Sequence, residues 1–200
     1  QRQGDLGAAR KLIEDVRQEA DERWGPTSAL AMDAAIQRVG NSMAQGEFAQ
    51  ARAELDGVPP PGDVLGERAE RLALSAVLAS RVRDLERAQR DGAAAMALAH
   101  RSGDAELVRT TLNDWGVVLL ASDRFADAIA AYEELLALNR LRFGERHIRV
   151  ANVYAALARA YRRNGDLDRA ETAARSAVEI DRAIYPGDDR HAAVNLNALM

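Results

Sequence analysis

Apolar residues recur along most of this chain at intervals of three and four. After Ala128 come Ile129, Tyr132, Leu135, Leu136 and Leu138; before it come Val108, Leu112, Trp115, Val118 and Leu119. This is the i, i+3, i+4, i+7 stripe of an amphipathic helix. Asn113 and Asp114 fall on other faces of the same turn. The pattern predicts a helix near 5–23, then pairs near 27–45 with 47–57, 64–82 with 84–101, 104–121 with 123–142, and 146–163 with 165–184, with one more helix starting near 189. Ser122 or Asp123 is placed to cap the helix that follows by accepting a free backbone N–H.

The punctuation between these helices repeats. Gly4-Asp5-Leu6-Gly7-Ala8-Ala9 returns as Gly46-Glu47-Phe48-Ala49-Gln50-Ala51, and again as Gly165-Asp166-Leu167-Asp168-Arg169-Ala170. Weaker copies end at Ala88 and Ala128. The five closing alanines, Ala9, Ala51, Ala88, Ala128 and Ala170, follow one another at near-constant spacing, shortest between Ala51 and Ala88. Fifteen residues after three of them stands an aromatic, Trp24, Phe143 or Tyr185, followed by Gly25-Pro26, Gly144 or Pro186-Gly187. Each unit thus reads as helix A, a tight turn, helix B and a loop. Small side chains are needed where two antiparallel helices cross closely. Gly116 precedes Ala128 by the same interval as Ala158 precedes Ala170, which places both on the facing A helix. Leu112, Trp115, Leu119, Tyr154, Leu157 and Tyr161 are expected to fill the layer between units, with Trp115, Tyr154 and Tyr161 buried and Trp24 near a B-helix end. One helix pair cannot bury its own apolar face, so stability comes from stacking neighbours.

Composition agrees. Of 200 residues 41 are alanine, 48% are hydrophobic and 29% charged, with a net charge of -4 and no cysteine. The chain is too apolar to be disordered, has no disulfide or thiolate metal site, and carries no run long enough to span a membrane. Lys11 is the one lysine; the arginine and alanine bias suits a GC-rich bacterial coding sequence. The chain opens on Gln1, with no charged-then-apolar leader, and is expected to be a piece of a larger protein.

These motifs resemble the tetratricopeptide repeat in its longer form, found in kinesin light chains and many bacterial multi-repeat proteins. The best stretch runs from Thr110-Thr111-Leu112-Asn113-Asp114-Trp115-Gly116 through Phe125-Ala126-Asp127-Ala128 to Phe143-Gly144-Glu145-Arg146-His147, and on through Tyr154, Leu157-Ala158, Tyr161, Gly165-Asp166-Leu167 and Ala170. Residues 104–200 match strongly, 1–58 moderately and 59–103 poorly. Val58-Pro59-Pro60-Pro61-Gly62 cuts the second B helix short, because three prolines forbid helix; it is a loop between repeats, or else a hinge or docking segment. The resemblance implies an all-α, right-handed solenoid of about ten helices, spanning 1–200 as one array with an irregular junction around 58–66. The array starts in a B helix and stops in an A helix, where Val194, Leu196 and Leu199 await cover. Neighbouring segments, a partner chain or self-association through the ends are expected to supply it.

No catalytic constellation emerges. His100 falls near a B-helix end, where a cation suits the helix dipole; His147 and His191 follow matching turns, where the resembled family often has a structural histidine. No His-x-x-His or Glu-x-x-His cluster offers metal ligands, and both phosphate-loop glycine patterns are absent. Acidic balance and the lack of a basic cluster interleaved with aromatics argue against nucleic acid. No cofactor, metal or membrane insertion is expected, and the location expected is cytoplasmic.

What remains is surface. The resemblance implies a concave groove lined by A helices. One helical face of each, counted back from the repeat alanine, gives Asp33, Ile36, Gly40 and Met43; Glu70, Ala73, Val77 and Ser80; Thr110, Asn113, Val117 and Leu120; and Asn152, Ala155, Arg159 and Arg162, with Asn195 or Asn197 extending the face. Asparagine suits the backbone of an extended peptide, and arginine suits a carboxylate or phosphate. With a single lysine, the family's usual lysine-containing carboxylate clamp is absent. The expected binding residues are Asn113, Asn152, Arg159, Arg162, Asp33 and Glu70. The expected function is a non-catalytic protein- or peptide-binding scaffold. The alternative is a regulatory or sensor segment of a larger bacterial signalling kinase or transcription regulator, and a concealed helical-repeat enzyme is the third reading.

Overall fold

The computed structural model describes residues 2–25, 29–58 and 64–185. Among them are nine helices and no strand: α1 (Arg2–Trp24), α2 (Ala29–Ala44), α3 (Phe48–Asp56), α4 (Leu65–Arg81), α5 (Leu85–Ser102), α6 (Ala105–Ala121), α7 (Phe125–Phe143), α8 (Ile148–Asn164) and α9 (Leu167–Ile184). Every end lies within about three residues of the position the periodicity predicts. The triproline segment, His191, Asn195, Asn197 and the last A helix with Val194, Leu196 and Leu199 lie outside the described residues, as does the side chain of Trp24.

The helices gather into two compact units, Gln1–Asp104 and Ala105–Met200. In the first, α1 packs on α2, α2 on α3, and α4 on α5. Val39, Ala51, Leu55 and Leu78 form its core, with Ile36, Met43, Phe48 and Leu74 against them. Glu14 of α1 pairs with Arg17 and with Arg38 of α2. These guanidiniums hold its carboxyl down at about 2. In the second, α6 packs on α7, α7 on α8, and α8 on α9.

The repeat alanines do what their spacing implies. Ala51, Ala88, Ala128 and Ala170 are buried, and so are Gly116 and Ala158 on the facing helices. A Cβ built on Gly116 would meet the Tyr132 ring at 2.5 Å, so the ring of α7 lies directly on the α6 backbone. Tyr132 is therefore the deepest aromatic among the described side chains, at 1% exposure, and Tyr161 is buried too. Trp115 and Tyr154 are only half-buried, which corrects their expected burial. Trp115 neighbours Gly116 in sequence and so points about 100° away from the face that receives Tyr132. Tyr154 instead lies under the Arg140 guanidinium, which stands 5.4 Å from the ring centroid and bonds to the hydroxyl. Trp115→Ala should cost less than the roughly 3–5 kcal/mol typical of a fully buried aromatic.

One turn geometry joins each A helix to its B helix. Gly46, Arg83, Asp123 and Gly165, all five residues before a repeat alanine, have φ of 79°, 65°, 57° and 86°. The next amide N–H, from Glu47, Asp84, Arg124 or Asp166, donates at 2.9 Å to the carbonyl of Ser42, Ala79, Leu119 or Tyr161. This is the six-to-one bond of a Schellman ending. Asp84 and Asp166 then cap the B helix by accepting from the Arg87 and Arg169 amides. Between α6 and α7 that cap position is Arg124, which makes no side-chain cap. The expected capping by Ser122 or Asp123 is thus corrected: Asp123 is taken up by the left-handed turn, where it accepts from Arg163 at 2.7 Å.

Left-handed backbone costs a residue with a Cβ roughly 1–2 kcal/mol, and glycine escapes this at some loss of unfolded-chain entropy. Arg83→Gly should therefore raise stability by up to about 1 kcal/mol. A chemical denaturation midpoint that falls or stays put would refute this.

Candidate functional site

The second unit contains a cleft of about 390 Å³ between α6, α7 and α8. Arg109, Thr110, Asn113 and Asp114 line it from α6, Leu135 and Asn139 from α7, and Arg149, Asn152 and Val153 from α8. Two of the expected residues, Asn113 and Asn152, meet here. Both are exposed, and the Asn113 side-chain amide donates to Asp114 Oδ1 at 3.3 Å.

The rim is held by charge. Glu106 accepts from Arg149 Nη1 at 2.7 Å and from Arg109 Nη2. These two bonds, Arg149's first, hold the Glu106 carboxyl below its ordinary range. Phe143, the aromatic of the stop signal, is the anchor beneath. The Arg149, Arg109 and Arg142 guanidiniums lie 5.0, 5.5 and 5.6 Å from its ring centroid. His147 stacks on it at 4.5 Å. His147 also caps α8, its Nδ1 accepting from the Arg149 amide at 3.1 Å, which is the structural part expected of it. His100 lies in the last turn of α5.

Farther along α8, Arg159 is exposed and Arg162 half-buried. Neither lines the cleft. Arg159 is close enough to Tyr132 to act on its hydroxyl electrostatically, against the burial that pushes that group up to about 12. Arg149 and Arg163 of the same helix are each paired with a carboxylate. Arg159 and Arg162 form no such pair among the described residues.

Asp33 and Glu70 belong to the first unit and are exposed. Loss of hydration, and then the carboxylates of Asp33, Glu67 and Asp104, hold the Glu70 carboxyl above its ordinary range. This cluster of like charges is a poor place for an acidic ligand.

Reading one face of each A helix missed Arg109, Asp114 and Arg149 on its other faces and Asn139 on a B helix. Asn139 had a visible signal: it continues the apolar stripe Leu135, Leu136 of α7 and is 4% exposed. A polar side chain there is either satisfied internally or turned to a cavity. Among the described residues no three His, Asp or Glu side chains come together as metal ligands, and no helix is long and apolar enough to cross a membrane.

Antiparallel helix pairs, a small residue at each crossing and a recurring left-handed turn define a helical-repeat protein. Residues 107–183 match the family model of the tetratricopeptide repeat, so the chain carries tetratricopeptide repeats over that stretch, in line with the resemblance of its motifs. No curated protein sequence matches significantly. Among solved structures, BtubC (BKLC) from P. vanneervenii is similar at 20% identity and a TM-score of 0.74, over 97% of this chain and 80% of that one. A Podosopora anserina protein described as a putative kinesin light chain with nearly identical TPR-like repeats is similar at 16% identity and a TM-score of 0.63, over 93% of this chain and 92% of that one. A variant of it reaches 17% and 0.65, over 92% and 90%. These likenesses concern the fold. Tetratricopeptide repeats in general serve as scaffolds for protein–protein contact and not as catalysts.

Proposed function

We propose that the chain is a non-catalytic module that binds a protein segment along the A-helix faces of its second unit. In this reading an extended peptide lays its backbone on Asn113 and Asn152 and an acidic group on Arg159 and Arg162. The observation that supports it most is the pair of α8 arginines without a carboxylate partner among the described residues, beside two arginines of the same helix that have one. A guanidinium with no carboxylate partner among the described residues, on the same helix as the exposed Asn152, suits a carboxylate or phosphate. In the first unit, Asp33 and Glu70 would instead disfavour that group or meet a basic one.

A solvent-shielded charge-assisted bond contributes roughly 1.5–3 kcal/mol, and an exposed pair about 1 kcal/mol or less. Arg159→Ala is therefore expected to weaken a true ligand by about ten-fold, equivalent to about 1.4 kcal/mol, with the loss shrinking as salt rises. The experiment is a titration of the native partner, or of a peptide library, against wild type and the Arg159→Ala, Asn113→Ala double variant. Equal affinities would place the binding surface elsewhere.

A further inference from the structure

Tyr132 carries a polar group without a partner. Its side chain is 1% exposed, yet its hydroxyl makes no hydrogen bond among the described residues. Nor is the hydroxyl sealed in. It is not among the unpartnered side-chain atoms that solvent cannot touch, so the sliver of Tyr132 that solvent reaches includes it. A buried tyrosine normally finds a partner for its O–H. Phenylalanine would fill the same space over Gly116 and leave no hydroxyl unmatched. The ring fixes where the group stands. Cζ, the atom that bears it, would lie 2.5 Å from a Cβ on Gly116 of α6, and α7 packs against both α6 and α8. Gly116 and Ala158 precede their repeat alanines by the same interval. Arg159 is therefore the counterpart on α8 of Val117, the residue of the expected groove face beside Gly116.

We propose that the Tyr132 hydroxyl belongs to the binding surface and donates a hydrogen bond to an anionic oxygen of the bound segment, whose charge Arg159 balances. The inference rests on the peptide-binding reading of the second unit. It adds a donor from a B helix and makes Arg159, rather than Arg162, the main charge contact. The surroundings decide the guest. Besides burial, two charges act on the hydroxyl, Arg159 first and Asp114 second. The positive neighbour outweighs the negative one there, which favours an acceptor that is itself anionic; bonds to such acceptors are also the stronger ones. Arg159 is exposed and has no carboxylate partner among the described residues, so it is available to a guest. A cation would turn to Asp114, but it would meet Arg159 and leave the O–H without an acceptor. A neutral carbonyl could accept the O–H but would leave Arg159 unmatched.

The test is NMR on the whole chain with tyrosine labelled at Cζ, whose shift reports the hydrogen bonding of the hydroxyl. The Tyr132 signal is assigned by its loss in Tyr132→Phe. Four capped tripeptides are titrated, with aspartate, phosphoserine, lysine or alanine at the centre. An acidic peptide is expected to move the Tyr132 signal saturably, and the tighter of the two marks a carboxylate or a phosphate as the natural group. The lysine and alanine peptides should bind about ten-fold more weakly. Tyr132→Phe, followed through the α8 backbone amides, should weaken the acidic peptide by about ten-fold, the scale of one hydrogen bond to a charged group. Its denaturation midpoint should hold or rise, because no bond within the protein is lost. Arg159→Ala should weaken binding similarly, and Arg162→Ala less. A Tyr132 signal unmoved by acidic peptide, equal affinity in Tyr132→Phe, as for a hydroxyl met by water only, a lysine peptide binding as tightly, or a larger loss in Arg162→Ala would overturn the proposal. The two failures are told apart in the partner titration. If Arg159→Ala weakens the partner and Tyr132→Phe does not, the hydroxyl has no part and the peptide-binding reading stands; if neither does, that reading falls as well.

Discussion

Tyr132→Ala is expected to destabilise the protein by about 3–5 kcal/mol, the range for truncating a fully buried aromatic. The ring is 1% exposed, lies on the α6 backbone at Gly116 and comes from a helix packed against both α6 and α8. Its removal opens a cavity that three rigid helices cannot close without shifting, and the penalty grows with the void that remains. Denaturant or thermal unfolding would measure the loss. A change under about 1 kcal/mol would mean that this crossing is not packed as described.

The same burial gives a pH signature. Loss of hydration pushes the Tyr132 hydroxyl up to about 12; the Tyr161 hydroxyl reaches about 12 for the same reason, helped by its bond to Glu133. Both groups hold their protons more tightly folded than unfolded, where the hydroxyl titrates near 10. Their contribution is complete below about pH 10 and is lost as pH rises through about 12. Stability should fall across that window, and the phenolate absorbance of these two tyrosines should appear with unfolding rather than before it.

The repeat length, the helix ends and the small residues at the crossings were all legible in the sequence, because each follows from a local rule. A small residue that returns at near-constant spacing from Ala9 to Ala170 marks one helix crossing repeated along a stack, and the αL turn position announces itself as glycine at Gly46 and Gly165, though not at Arg83 or Asp123. What stayed hidden depends on which side chain wins a shared space. Trp115 and Tyr132 are both aromatic and both on apolar stripes. Only the fit of a ring over Gly116 decides that Tyr132 goes in and Trp115 to the margin. The site divides in the same way. Asn113 and Asn152 follow from counting along A helices, but Asn139 enters the cleft from a B helix, and Arg109 lies over the Phe143 ring of α7, a partner that no spacing along one helix reveals.

Gly116→Ala should be destabilising even though alanine is the better helix former by about 1 kcal/mol. The added Cβ would lie 2.5 Å from Cε1 and Cζ of Tyr132 and 3.0 Å from Cδ1, so it strikes the flat of a confined ring rather than the end of a flexible chain. Overpacking of this kind costs about 1–3 kcal/mol. The decisive measurement is the double variant. With Tyr132→Ala already present the obstruction is gone, and Gly116→Ala should then stabilise by up to about 1 kcal/mol through its helix propensity. The sign of one substitution would reverse with the identity of the other residue, giving a coupling of a few kcal/mol, within the range seen for side chains in direct contact. Additive effects would show that ring and glycine do not touch. Because Gly116 and Tyr132 take their places in the helix pair from the repeat alanine Ala128 between them, that result would also undo the register on which the A-helix faces, and with them the proposed peptide contacts, were placed.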